Sequence, residues 1–88
     1  MKEETKTETM HAKVYAPFKV YFDGQAASVS ASNEVGPFDI LPKHRNFITL
    51  LQPGDLTVRV PGRPDLKLKV NKGIMHVKSD EMKVFLDV

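Results

Sequence analysis

The chain has 88 residues, 41% of them hydrophobic, with no Cys, no Trp and a formal net charge of +2. Such a length makes one domain with a modest core, burying about 60–65% of the unfolded surface. Disulfides, thiolate chemistry and Cys-ligated zinc are excluded, and no apolar run approaches the ~18 residues that span a bilayer. Lys2 and Lys6 against Glu3, Glu4 and Glu8 leave residues 1–10 at −1, so the 11 basic and 8 acidic residues that follow carry +3. These basic residues are spread rather than blocked, which does not indicate nucleic-acid binding.

The opening "MKEETKTETM" has no apolar stretch of the secretory kind and is too acidic for a transit peptide. Residues 1–10 are therefore expected to form a disordered tail with almost nothing to bury, and residues 11–88 a β-sandwich domain. In "APFKVYFDGQ", Asp23-Gly24 is a hairpin signal. Phe18 and Phe22 fall on the face of Val20, where core packing is expected. "AASVSA" follows with Ala27, Val29 and Ala31 on one face and Ser28 and Ser30 on the other, a half-buried strand.

The segment "VGPFDILPKHRN" is punctuated by Gly36, Pro37 and Pro42. "FITLLQPG" then breaks the alternation, since Phe47, Ile48, Leu50 and Leu51 are apolar on both faces. That suits a strand buried between two sheets, or one covered on its outer face by another protein. Alternation resumes with Leu56, Val58 and Val60 in "DLTVRV", Leu66, Leu68 and Val70 in "DLKLKV", and Met82, Val84 and Leu86 in "EMKVFLDV". Lysines on the open faces discourage edge-to-edge aggregation. "PGRPD", "NKG" and "KSDE" place turns about ten residues apart, the spacing of an antiparallel sandwich or barrel. Pro17, Pro37, Pro42, Pro53, Pro61 and Pro64 interrupt every helical candidate.

Catalytic patterns are missing from the sequence. No glycine loop has phosphate-binding spacing, and His11, His44 and His76 match no zinc spacing. His44 with Asp39 would supply a base, but no Ser or Cys sits in a nucleophile elbow. Ser28, Ser30 and Ser32 share one strand face, where exposure to solvent accounts for them. A small basic barrel that binds single-stranded nucleic acid is the alternative reading. Such barrels set aromatic platforms beside Lys and Arg, whereas Tyr15, Phe18, Tyr21 and Phe22 cluster in one segment.

The stretch "GPFDILPKHRNFITLLQPGDLTV" resembles the N-terminal β-sandwich of the rotary ATP synthase epsilon subunit, called delta in mitochondria. That family reads Gly-acidic-apolar-Gly-apolar-apolar-Pro-Gly-His, then an apolar strand, then L-x-P-G and an alternating strand. Gly36, Phe38, Ile40, Leu41, Pro42, His44, Leu50, Leu51, Pro53 and Gly54 fit it. Phe22 and Gly24 upstream, and Gly73, Val77, Val84 and Asp87 downstream, extend the likeness from His11 to Val88. The family's acidic position is Pro37 here, its second glycine is Asp39, and the glycine before the histidine is Lys43.

The resemblance implies an all-β, antiparallel ten-stranded sandwich of two packed sheets at the foot of the rotor's central stalk. It implies no catalytic residues, no cofactor, no metal and no nucleic-acid partner. The implied partners are the gamma subunit and the polar loops of the c-ring. The gamma interface is expected at His44, Arg45, Phe47 and Leu50. The c-ring interface is expected around Glu34, Pro37, Asp39 and Lys43, with Asp39 or Glu34 in place of the family carboxylate. The chain would then be soluble when isolated, and in the complex peripheral to the cytoplasmic face of the inner (plasma) membrane. Members of the family continue into a C-terminal pair of helices that inhibits ATP hydrolysis. The final strand here ends at Val88, as expected either of a short member or of one domain of a longer one.

Overall fold

The computed structural model describes residues 8–43 and 45–87. They form nine strands: β1 (Met10–Ala16), β2 (Lys19–Ala26), β3 (Ser28–Asn33), β4 (Gly36–Ile40), β5 (Phe47–Leu51), β6 (Gly54–Arg59), β7 (Leu66–Val70), β8 (Lys72–Lys78) and β9 (Glu81–Asp87). One sheet has the order β2-β1-β9-β8-β5 and the other β4-β3-β6-β7. All ladders are antiparallel except β1 with β9. Seven strands intervene between the members of that pair, carrying the chain across to the other sheet and back. The expected sandwich is present, with nine strands rather than ten among the described residues. Among the described residues no ladder forms over 41–43, 45–46 or 60–65. Pro42, Pro61 and Pro64 lie there, and proline has no N–H to contribute to a sheet.

The alternation read from the sequence sets the core. Met10, Ala12, Val14 and Ala16 of β1 and Met82, Val84 and Leu86 of β9 point inward, facing Val29, Ala31, Leu56 and Val58 of the other sheet. Met10 lies within the stretch assigned to the tail but is buried as the first residue of β1. Residues 1–7 of that stretch are outside the described residues. One side of the sandwich is closed by Phe38 of β4 and Phe47 of β5, whose rings meet edge to face at 5.8 Å. The Gln52 N–H, donating to the Ser32 carbonyl, joins the sheets nearby.

Two expectations fail in β2. Asp23-Gly24 is not a turn; it lies inside the strand, with Gly24 opposite Ala12. The Phe22 ring covers the bare glycine, 3.4 Å from where a Cβ would stand, so the glycine serves packing and not chain reversal. The reversal falls instead at Pro17-Phe18. Nor do Phe18, Val20 and Phe22 share a buried face. The ladder slips between Val14 and Tyr15, pairing Val14 with Phe22 but Tyr15 with Val20. This bulge inserts Tyr21 and inverts the parity of the strand. Phe22 packs on the core, while Val20 is exposed and Phe18 stands fully in solvent at the hairpin tip.

The turn signals near the C-terminus behave as read. Ser79 and Asp80 link β8 to β9 with φ of 51° and 61°, the paired positive values of a two-residue hairpin turn.

Candidate docking surfaces

The outer face of the five-stranded sheet carries an apolar row. Leu50 pairs with Ile74, Ile74 with Phe85, Phe85 with Tyr15, and Tyr15 with Val20. Opposed residues in a sheet project to the same side, so these five form one stripe across all five strands. Leu50 is 65% exposed, and Ile48, two residues before it on the same face, is 68% exposed. Tyr15 and Phe85 stack edge to face at 5.3 Å, and the Lys13 ammonium sits 5.0 Å from the Tyr15 ring centre. At one end of the stripe an open groove is lined by Glu34, Ile48, Leu50, Gln52 and Ile74.

β5 is not buried between the sheets, the first of the two readings of "FITLL"; its outer face is open. Its burial alternates: Phe47 and Thr49 are half-buried and Leu51 is buried, while Ile48 and Leu50 are open. Of the residues expected at the gamma interface, Leu50 faces outward and Phe47 faces inward against Phe38. Ile48 is the neighbour that shares the outer face with Leu50. Arg45 is exposed on the loop before β5, and His44 lies outside the described residues.

The next row on this face is charged. His76 pairs with Lys83, and Lys83 with Lys13. Beyond it, His11 is held between two carboxylates, with Nε2 at 2.6 Å from Asp23 and Nδ1 at 3.2 Å from Glu81. Both ring nitrogens must carry hydrogen to donate to both acceptors. The bonds to Asp23 and then Glu81 accordingly raise the His11 pKa above its ordinary value, against a small opposing effect of burial.

The outer face of the four-stranded sheet is polar apart from Pro37. Arg59 Nη1 donates to Ser30 Oγ at 2.6 Å and to Ser28 Oγ at 3.2 Å, and Ser30 donates to the Asp39 carboxylate. Ser28, expected in solvent, is buried by this network.

The residues expected to meet the c-ring do not converge. β4 begins opposite Asn33 and ends opposite Val29, so the chain travels the length of the sandwich between Pro37 and Lys43. Glu34 and Val35 form the β3–β4 turn, where Asn33 Oδ1 accepts the Val35 N–H at 2.9 Å. Pro37 and Asp39 share the outer face of edge strand β4, the first close to this turn and the second toward the strand's far end. The Pro17-Phe18 tip, Gln52-Pro53 and Asn71 lie at the same end as Glu34. Lys43 is at the opposite end, its N–H donating to Asp80 at 2.6 Å and its ammonium 3.8 Å from Glu8. The sequence signal for the apolar stripe was available in Phe85, an aromatic on a face otherwise occupied by Lys83 and Asp87. Among the described residues, no three or more His, Asp or Glu side chains gather in a metal-holding group.

The fold and its surfaces define a two-sheet β-sandwich domain with contrasting outer faces. The family model described as "ATP synthase, Delta/Epsilon chain, beta-sandwich domain" matches residues 9–88, and the chain belongs to that family. It is 33% identical over 81 residues to the ATP synthase epsilon chain of Laribacter hongkongensis, covering 91% of this chain and 58% of that relative. It is 32% identical over 79 residues to the same chain of Stenotrophomonas maltophilia, covering 90% and 56%. The chain therefore spans a little under three fifths of these relatives. In fold it is similar to a chain of the Euglena gracilis mitochondrial ATP synthase OSCP/F1/c-ring structure, with TM-score 0.82, 15% identity and coverage of 96% and 53%. It is likewise similar to a chain of the Tetrahymena thermophila mitochondrial ATP synthase central stalk/c-ring structure, with TM-score 0.77, 18% identity and coverage of 96% and 67%.

Proposed function

We propose that this domain is a non-catalytic rotor component of a rotary ATP synthase, joining a gamma-type stalk subunit to the c-ring and so coupling proton flow to ATP synthesis. It stands at the cytoplasmic face of the inner (plasma) membrane, peripheral to the bilayer through the complex. The observation that carries this reading, beside family membership, is the open apolar face of β5: Ile48 and Leu50 lie in solvent on an edge strand of the sheet. Two such residues beside Ile74 gain most from a protein partner, at roughly 25 cal/mol for each Å² of apolar surface covered. Leu50 belongs to the gamma contact, with Arg45 on the loop before it, His44 preceding Arg45 in the sequence, and Phe47 fixing the strand from its inner side.

The c-ring contact is placed at the end that carries Glu34 and Pro37. Val35 and Phe18 project there almost fully exposed. Asp39 extends this contact along the β4 edge. Lys43, at the other end of the sandwich, joins it only if the contact runs the length of β4.

The test is retention of the domain by purified stalk subunit. Specific retention, weakened when Leu50 is replaced by Ser, supports the proposal; failure of the unaltered domain to be retained removes its main support. Affinity for single-stranded DNA that falls steeply with salt would favour the nucleic-acid barrel instead.

A further inference from the structure

The apolar stripe does not end at β5, and its two borders differ. It runs through Leu50, Ile74, Phe85, Tyr15 and Val20, one residue from every strand of the sheet. Four strand spacings give it a length of about 19 Å. One border is the row His76, Lys83 and Lys13 on three adjacent strands, continued on β2 by Asp23, which pairs with Lys13 and is bonded to His11, so that two lysines stand against one carboxylate. The other border has Lys72 directly opposite Asp87 and gains no net charge. The stripe therefore has a cationic side and a neutral side.

We infer that this face receives a ridge of complementary chemistry on the stalk partner: apolar along its crest, with carboxylates along one flank only. The inference rests on the proposed contact with the stalk subunit and adds its extent, orientation and charge. A helix rising 1.5 Å per residue covers such a stripe with about 13 residues. The apolar crest covers Leu50, Ile74 and Phe85, and the carboxylates lie over Lys83 and Lys13. A ridge turned end for end sets its carboxylates against Asp87 and loses the lysines, so the one-sided charge fixes orientation as well as affinity.

Three variants of the domain with purified stalk subunit test this, with binding measured at low and high salt. Ile74→Asp with Phe85→Ser places a charge in the middle of the stripe and is expected to weaken binding by roughly tenfold or more. Lys13→Glu with Lys83→Glu is expected to weaken binding strongly at low salt and to reverse the salt dependence, added salt then restoring affinity. Lys67→Glu with Lys69→Glu makes the same charge change on the outer face of the other sheet and should alter binding little. All six positions are on strand surfaces, and a thermal melt of each variant identifies any that fails to fold. For that position Phe85→Leu or Lys83→Gln provides the milder replacement.

Binding that survives the first two variants overturns the inference while leaving the contact with the stalk subunit standing. Equal loss from the Lys13/Lys83 and Lys67/Lys69 pairs overturns the oriented flank, since only overall charge would then matter. No binding by the unaltered domain overturns both the inference and the reading beneath it.

Discussion

On the outer face of the five-stranded sheet, Leu50, Ile74, Phe85 and Val20 stand in solvent. On the outer face of the four-stranded sheet, Ser28, Ser30, Asp39 and Arg59 bond to one another. Both faces come from strands of the same alternating pattern, and both back onto one core. These four side chains are partnered within the chain, and a second protein would have to replace those bonds to gain from them. Among the described residues nothing covers the apolar face. The period-two pattern fixes which residues turn inward, whereas docking depends on the chemistry of the residues turned outward.

Removing core volume from either sheet is expected to have the largest effect, because the two faces share one interior. Leu56→Ala in β6 and Leu86→Ala in β9 should each cost about 2–5 kcal/mol, since both side chains are buried. Amide hydrogen exchange should show both sheets losing protection together in either variant. Loss confined to the sheet that carries the substitution would mean that the two faces stand on separable layers.

A methyl group at Gly73 sharpens the comparison, because this glycine lies behind the apolar stripe. A Cβ there would fall 2.8 Å from the Phe85 carbonyl oxygen and 3.1 Å from Leu86. The obstacle is partly backbone and cannot rotate away. Gly73→Ala should cost about 1–3 kcal/mol by overpacking and displace β9 at Phe85, in the middle of the stripe. A urea melt of the variant coincident with wild type would show that the strands separate freely there, and that the stripe is not a fixed surface.

Much of this was legible in the sequence. Strands β6, β7 and β9 keep the alternation, and their inward sets were read directly from it; in β3 Val29 and Ala31 turn inward as read, but Ser28 is buried beside them. Phase was lost in β2, where one inserted residue turns Val20 outward and Phe22 inward; no local signal in "KVYFDG" announces a bulge. Asp23-Gly24 misled because glycine serves two needs, a turn or room for a neighbouring ring, and the dipeptide does not separate them. The site was legible in part for a different reason. Glu34, Pro37, Asp39 and Lys43 are close in sequence and flank two prolines, but an extended strand carries the chain about 3.3 Å per residue. Nine positions therefore sufficed to move Lys43 to the far end.

His11 is expected to give a smaller, pH-dependent effect at the border of the five-stranded face. It ties β1 to Asp23 of β2 and to Glu81 of β9, with Lys13 and Lys83 in the adjacent row and Lys78 opposite Glu81. Its pKa is raised in the folded chain. The stabilisation is therefore complete below the unfolded value, near pH 6.5, and is lost as pH rises through the folded value. These side chains are partly exposed, so the difference should be at most about 1 kcal/mol. Melts of wild type and His11→Gln should diverge below that range and converge above it. Parallel curves across the range would mean that the histidine makes these contacts without a change in its charge.

Asp39→Asn should give the smallest effect on the fold, and it compares the two faces most directly. Asp39 accepts from Ser30, which in turn accepts from Arg59. Asparagine keeps an acceptor oxygen at that point, so the hydrogen-bond chain survives and stability should move by less than about 0.5 kcal/mol. What changes is the charge on the β4 edge. If Asp39 supplies the c-ring contact with a carboxylate, association with the membrane sector should weaken modestly, and more at low salt than at high salt. The measurement is that association at two salt concentrations beside a thermal melt of the domain. Unchanged association with a large drop in melting temperature would assign Asp39 to the internal network alone. That network would then be self-satisfied, leaving docking to the other face and to the end that carries Glu34.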